Sequence, residues 1–275
     1  MVSPEFLRRS YEVFAAVEED FNDLLDETLR PRSPSMLFDL VSRMNLPNGA
    51  LVVDVGCGEG SHSLELATRF PISVVAIDPV ERHLEIARQR FSEAGIGLPE
   101  VAARLRTALG FAHALPLADH SSHLIWCRDA LVHVDSLDAA FGEFARTLKL
   151  GARALIFQTF RTDRLSSEEA SWLLPTMGCV GSNMDTTHFE AAIQRSPLAV
   201  EDCLELSSEW GEYAQETSGR GGRKLLHAGR LLRDPERFRA QFGSANYDLA
   251  LGDALWHVYR LIGKLSDRVY LLRRS

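Results

Sequence analysis

Residues 52–60 read VVDVGCGEG. An apolar run carrying one acid, Asp54, ends in three glycines at alternate positions, Gly56, Gly58 and Gly60. Glycine adopts positive φ without penalty and lets the backbone approach a neighbour closely, so this density after a β-branched run marks a tight strand-to-helix turn. Working outward, ALVVDV is followed by a helical pattern over about 60–70, the run SVVAID, a helical pattern over about 81–94, VAARLRTA, SHLIWC, a helical pattern over about 136–148, and RALIFQTF after Gly151. Short apolar runs alternating with helices predict an α/β fold: a mostly parallel sheet with helices on both faces.

The chain on either side is helical in pattern. Phe6, Val13, Phe14, Val17, Phe21, Leu24 and Leu25 recur at helical spacing over 5–29, and Arg-Pro-Arg-Ser-Pro stops that pattern at 30–34. Residues 163–196 read as mostly helical, AVEDCLELSSEW at 199–210 as a strand, 222–264 as helices and RVYLLRR at 268–274 as a closing strand. The expected organisation is a helical cap segment over 1–45, a ligand-binding core over 46–160, a helical insertion over 161–198, and closing strands over 199–275 interrupted by helices at about 211–264.

At 275 residues, 45% hydrophobic and 25% charged, the chain can bury a substantial core. No apolar run approaches the length of a membrane span, and the first residues carry no apolar signal region, so a cytoplasmic protein without membrane contact is expected. Cys57, Cys127, Cys179 and Cys203 are far apart, with no CxxC pair. Neither a disulfide framework nor a metal site is expected. The net charge of −8 argues against a nucleic-acid partner, because phosphate neutralisation needs a basic face. Charge is unevenly spread: residues 218–275 hold twelve Lys/Arg against five Asp/Glu, a net of +7, which leaves −15 on the rest. This suits a basic helical unit complementing an acidic body. The segment GRGGRK at 219–224 points instead to an anion.

The turn's chemistry narrows its ligand. The dinucleotide fingerprint G-x-G-x-x-G wants its third glycine at position 61, which is Ser61. Asp54 and Glu59 flank the turn and would repel a pyrophosphate, whereas they favour a ligand bearing an ammonium or sulfonium. Asp78 closes the second apolar run 22 residues after Gly56, placed for its carboxylate to accept from ribose hydroxyls. A cationic nucleoside is the better guest.

These residues, with ALPLADHSSHLIWCRDALVHV and LKLGA further on, resemble the successive motifs of class I S-adenosylmethionine-dependent methyltransferases, in the branch acting on small molecules. The likeness covers about residues 46–160. It implies a Rossmann-like fold with a seven-stranded sheet and S-adenosyl-L-methionine as cofactor. Gly56, Gly58 and Gly60 would pass under the methionine part beside Asp54 and Cys57, Asp78 with Pro79 would hold the ribose, Phe111 and Ala112 would border the adenine, and Cys127 would lie near the methionine part. The adenine motif usually reads Gly-Asp-Ala; here it is Gly110-Phe111-Ala112, so Phe111 is either a shelf for the ring or plain core. Cys57 and Cys127 read equally well as small buried residues.

His133, in ALVHV just past the fourth strand, is the candidate catalytic base, since methyl transfer to a hydroxyl or amine releases a proton. Its alternative is a structural histidine held by the backbone. Arg128 and Asp129 could orient it or pair with each other, and His113, His120 and His123 show no metal-ligand pattern. Trp172, Glu209, Trp210, Glu212 and Tyr213 could line an acceptor pocket, with Glu209 the one kept in view. The expected function is methylation of a small-molecule acceptor in specialised metabolism, on oxygen first and nitrogen next, with a homodimer allowed for. The alternative is a cofactor-binding protein of the same fold that regulates or catalyses another reaction, such as a cyclisation. A macromolecular substrate is disfavoured, because CysArgAspAla stands where an Asn/Asp-Pro-Pro-aromatic motif would follow the fourth strand.

Overall fold

A computed structural model describes residues 3–275. Helices α1 (Pro4–Ala15), α2 (Glu18–Glu27) and α3 (Ser35–Arg43) precede β1 (Leu51–Val55). Then come α4 (Ser61–Arg69), β2 (Ser73–Asp78), α5 (Glu81–Gly97), the short α6 (Pro99–Ala102), β3 (Leu105–Leu109) and β4 (Ser122–Arg128). A 3-10 turn over Leu131–His133 leads to α7 (Leu137–Thr147) and β5 (Leu148–Arg161). Helix α8 (Ser167–Thr176), a second 3-10 turn (Gly181–Met184) and α9 (Thr186–Gln194) precede β6 (Leu198–Ser207). The chain closes with α10 (Glu209–Ser218), α11 (Arg220–Arg233), α12 (Pro235–Phe242), α13 (Ser244–Leu261) and β7 (Leu265–Arg274).

The strands form one seven-stranded sheet in the order β3-β2-β1-β4-β5-β7-β6. The first five are parallel, and β7 inserts antiparallel between β5 and β6. Alternate residues of each central strand feed opposite faces. Val52, Leu124, Trp126, Leu155 and Phe157 pack with α3, α4 and α5 through Leu37, Phe38, Leu66 and Leu84, whereas Val53, Ile125, Ala154 and Ile156 pack with α7 and α9 through Phe141, Phe144 and Phe189. Both faces are therefore covered, as buried parallel strands require. The chain order turns back between β1 and β4, and the carboxyl ends of those strands open the crevice in which such sheets bind ligands.

Local chemistry moves several expected boundaries. VAARLRTA becomes a strand only from Leu105, because Pro99 opens a helical turn through Ala102. The strand expected to reach residue 210 stops at Ser207, which takes a φ of 46°, and Glu209 and Trp210 begin α10. The pattern over 5–29 is two helices meeting at Ala16 and Val17. Their apolar residues Phe6, Phe14, Phe21, Leu24 and Leu25 are all at least half exposed.

Candidate active site

A cavity of about 480 Å³ lies at the carboxyl ends of β1 to β4, within the range of small-molecule pockets. Its wall takes Val55, Gly56 and Gly58 from the first turn, Asp78, Pro79, Val80 and His83 from the second, and Gly110, Phe111, Ala112 and His113 from the third. Residues 128–130 and 133–135 complete it.

Each glycine of the first turn has positive φ, 72°, 52° and 75° in chain order, but they face different neighbours. A Cβ on Gly56 would lie 2.2 Å from that of Ala130, so this glycine lets the first turn meet the β4 loop. A Cβ on Gly58 would meet nothing within 4 Å, and this residue borders the cavity. A Cβ on Gly60 would come within 2.9 Å of Ala87 and Phe91, so Gly60 serves the packing of α4 on α5 and lies outside the cavity wall.

Asp78 ties the first turn to the second. Its Oδ2 accepts from the Gly58 N–H at 2.9 Å, and its Oδ1 from the Val80 N–H at 2.9 Å, with His83 Nδ1 at 3.1 Å. A carboxylate has about four acceptor sites, so Oδ2 keeps one that is free, and the half-exposed His83 could release another.

Three expected wall residues are turned away. The Asp54 carboxylate is buried in the sheet and accepts from Ser63 Oγ at 2.5 Å; burial pushes its pKa up to about 7. Cys57 and Cys127 are buried among apolar neighbours, which raises both thiols well above their ordinary range, and neither borders the cavity. Asp54 and Cys57 lie toward the sheet face that packs on α3 to α5, whereas Cys127 lies on the other face, packed with Val55, Leu131 and Phe141. Phe111 is 51% exposed and stacks on His113 with centroids 5.3 Å apart, so it is a wall residue and no part of the core.

Residues 52–151 match a family described as "Methyltransferase domain". Those residues are a methyltransferase domain. Among similar proteins, phosphoethanolamine N-methyltransferase 1 of Arabidopsis thaliana is 30% identical over 51% of this chain and 27% of its own length. An O-methyltransferase of Pyrenophora dematioidea is 28% identical over 47% of each chain. The present chain thus spans less than half the length of either relative. Geranyl diphosphate C-methyltransferase of Streptomyces coelicolor A3(2), solved with Mg²⁺, geranyl diphosphate and S-adenosyl-L-homocysteine, superposes with a TM-score of 0.63 at 15% identity, over 88% of this chain and 79% of that one. The fold is the Rossmann-like class I methyltransferase fold.

His133 stands on the rim of the methyltransferase domain's cavity and also borders a smaller one of about 160 Å³ formed with Val132, Met177, Cys179 and Trp256. The segment after β5 holds the histidine in place. Asn183 Nδ2 donates to the carbonyls of Leu131 and Val134, the Val180 N–H to that of Val132, and His133 Nδ1 lies 2.9 Å from the Gly178 oxygen. A carbonyl only accepts, so Nδ1 carries a proton, and in the neutral imidazole the lone pair is therefore on Nε2.

Neither Arg128 nor Asp129 orients His133. Asp129 adopts a φ of 54° and is held by Thr159 Oγ1 at 2.8 Å and Arg260 at 3.1 Å. Arg128 donates to Nε2 of His62 at 2.6 Å, and burial first, then the guanidinium, lowers that imidazole to about 4, which keeps it neutral and accepting. Glu209 faces Arg32 and borders no cavity described above. His123 Nδ1 accepts from the Leu51 N–H and His120 contacts Arg274, so both serve the fold. Among the described residues, no cluster of His, Cys, Asp and Glu could hold a metal, and no helix is long and apolar enough to cross a membrane. The wall residues His83 and Asp135 had no sequence signal: each is a lone polar residue until the turns converge.

Proposed function

We propose that the protein is an S-adenosyl-L-methionine-dependent methyltransferase for a small-molecule acceptor, with an oxygen nucleophile favoured and nitrogen next. The observation that carries this reading is the single cavity joining Gly58, Asp78 and Phe111 to the free Nε2 of His133. The cofactor fits what lines it. Gly58 leaves an open cradle, Asp78 has acceptor capacity for a ribose hydroxyl, and the exposed ring of Phe111 offers a shelf for adenine. Asp78, Asp129 and Asp135 outnumber the one cation of the wall, Arg128, which suits a positively charged guest.

When bound, the cofactor supplies an electrophilic methyl carbon on sulfonium. The chain contributes alignment: the turns of β1 and β2 fix one partner while the 3-10 turn fixes the rim where the other arrives. His133 Nε2 takes the acceptor's proton, and the Gly178 carbonyl stabilises the imidazolium through Nδ1. A hydroxyl must lose a proton in the attack, which is why a positioned base favours oxygen.

The test is a mass measurement. Purified protein, S-adenosylmethionine and a panel of phenols, alcohols and amines should yield a product heavier by one methyl group together with S-adenosylhomocysteine. A product of unchanged mass with the cofactor unconsumed would support the cyclase reading instead.

A further inference from the structure

A third cavity of about 340 Å³ lies between α10, α11 and α13, and its charge is of the other sign. Arg128, Arg220, Arg260 and His257 face it against one acid, Asp253, whose carboxylate is bonded to Lys224. The cavity adjoins the site already described through shared walls. It shares Arg128 with the large cavity, and Met177 and Trp256 with the small cavity that His133 borders.

Two of its cations are buried beyond what the protein satisfies. Arg128 and Arg260 each keep a buried Nε–H with no partner among the described residues. Arg260 is pinned by Asp129 and Asp267, both at 3.1 Å, and its side chain is only 11% exposed. Arg128 has no ion pair among the described residues; it lies 5.3 Å from the Trp210 ring and donates only to neutral His62. Unlike these, Arg220 is exposed at the start of α11, where the helix dipole adds positive potential, and no hydrogen bond or ion pair holds it among the described residues. Gly221 beside it has a structural reason: a Cβ there would lie 2.3 Å from Leu261. Carboxylates act on Arg128 only from beyond salt-bridge distance and its Nε–H is unpartnered, while Arg220 is unpaired among the described residues, so this pocket is one an anion would complete.

Resting on the methyltransferase reading, we propose that the acceptor carries an oxyanion, phosphate or carboxylate, that seats in this cavity on Arg220 and Arg128, with the indoles of Trp210 and Trp256 flanking its carbon skeleton. Arg260, already neutralised, sets the position of Asp129 and closes the floor. The acceptor then spans from the arginines past Met177 to Nε2 of His133. The two cavities sort their guests by sign: cation on the Asp78 side, anion on the Arg220 side.

Calorimetric titration with inorganic pyrophosphate and, separately, tricarballylate tests this, with and without S-adenosylhomocysteine. Wild-type protein should bind at least one of them, and the tighter of the two names the oxyanion. Arg220→Ala, an exposed change that spares the fold, should weaken that binding by roughly 10- to 100-fold, the usual worth of a charge-assisted hydrogen bond. Arg220→Lys should recover part of it, and Arg233→Ala, exposed further along the same helix, should change nothing. No binding of either probe, equal binding by Arg220→Ala, or an equal loss in Arg233→Ala overturns the proposal. Binding of S-adenosylhomocysteine is read in the same samples. If it persists while both oxyanions fail, only this inference falls; if it is absent from wild type, the methyltransferase reading falls on its own.

Discussion

Arg32 grips Glu209 twice: its N–H donates to the Glu209 carbonyl at 3.0 Å, and its Nε pairs with the carboxylate at 2.7 Å. The Arg30 N–H adds a bond to Glu212 at 2.8 Å. The N-terminal segment is thereby tethered to α10, the helix that contributes Trp210 and Ala214 to the arginine-lined cavity. Beyond the tether, α1 and α2 are 12 and 10 residues long, with exposed apolar faces. Helices of that length are marginal in water by themselves. They should exchange their amide hydrogens fast in the free protein and gain protection when cofactor and acceptor are both bound, as a cap closes over the site. Protection gained only around residues 54–60 would rule that closure out.

Replacing Asp78 by Ala should weaken S-adenosylmethionine binding by about 1 to 3 kcal/mol, since a charged acceptor is lost from the ribose position and the Gly58 and Val80 N–H groups lose theirs. Calorimetry measures it, with the melting temperature as control for the turn. An unaltered affinity would mean that Asp78 only braces the two loops.

Gly58 and Gly60 should part company. Gly60→Ala forces a Cβ against Ala87 and Phe91 at positive φ, and the expected cost is about 1 to 3 kcal/mol of stability by chemical denaturation. Gly58→Val meets no protein atom with its Cβ; beyond the strain of its φ, its main effect should be loss of cofactor binding. The assignment fails if the two variants show the reverse pattern.

His133→Ala should leave cofactor binding intact and lower turnover by roughly 10² to 10⁴. With a phenolic acceptor the deficit should shrink as pH rises, because the ionised substrate needs no base; with an aliphatic alcohol it should not. Wild-type turnover at neutral pH in the variant would leave the histidine a purely structural role.

Stability should carry two opposed pH dependences. Asp54, at about 7 in the folded chain against an ordinary 3.8, holds a proton that the unfolded chain releases, so its contribution is full below about 4 and is lost as pH rises through 7. His62, lowered from 6.5 to about 4, refuses a proton that the unfolded chain takes up, so stability is lost as pH falls through that window. Asp54→Asn removes only the first. Its melting temperature relative to wild type should therefore climb from pH 5 to pH 8, and a constant difference would refute the assignment.

The sheet was legible because burial on both faces writes itself as β-branched runs, and the spacing from Gly56 to Asp78 follows from one strand–helix–strand passage. What remained hidden was direction. Asp54 and Asp78 look equivalent in sequence, yet one points into the sheet toward Ser63 and the other toward the cavity. Gly58 and Gly60 are likewise indistinguishable until α5 packs on α4. The Arg128–His62 contact joins residues 66 apart, and Gly178 reaches His133 across 45, pairings that no local pattern announces. Glu209 was misplaced because LELSSEW alternates like a strand, while the positive φ of Ser207 ends the pairing just before it.

The large cavity is built from residues 55–135, whereas the arginine-lined one draws on 177, 210–221 and 253–261, and the two stretches share only Arg128. Such a division makes the two halves of the chain separately evolvable. Positions 210–221 and 253–261 can drift, duplicate or be recombined to welcome new molecules while the glycine turn keeps its guest, and a change on either side is felt on the other through Arg128, which both walls share, and through the Arg260–Asp129 pair that joins them.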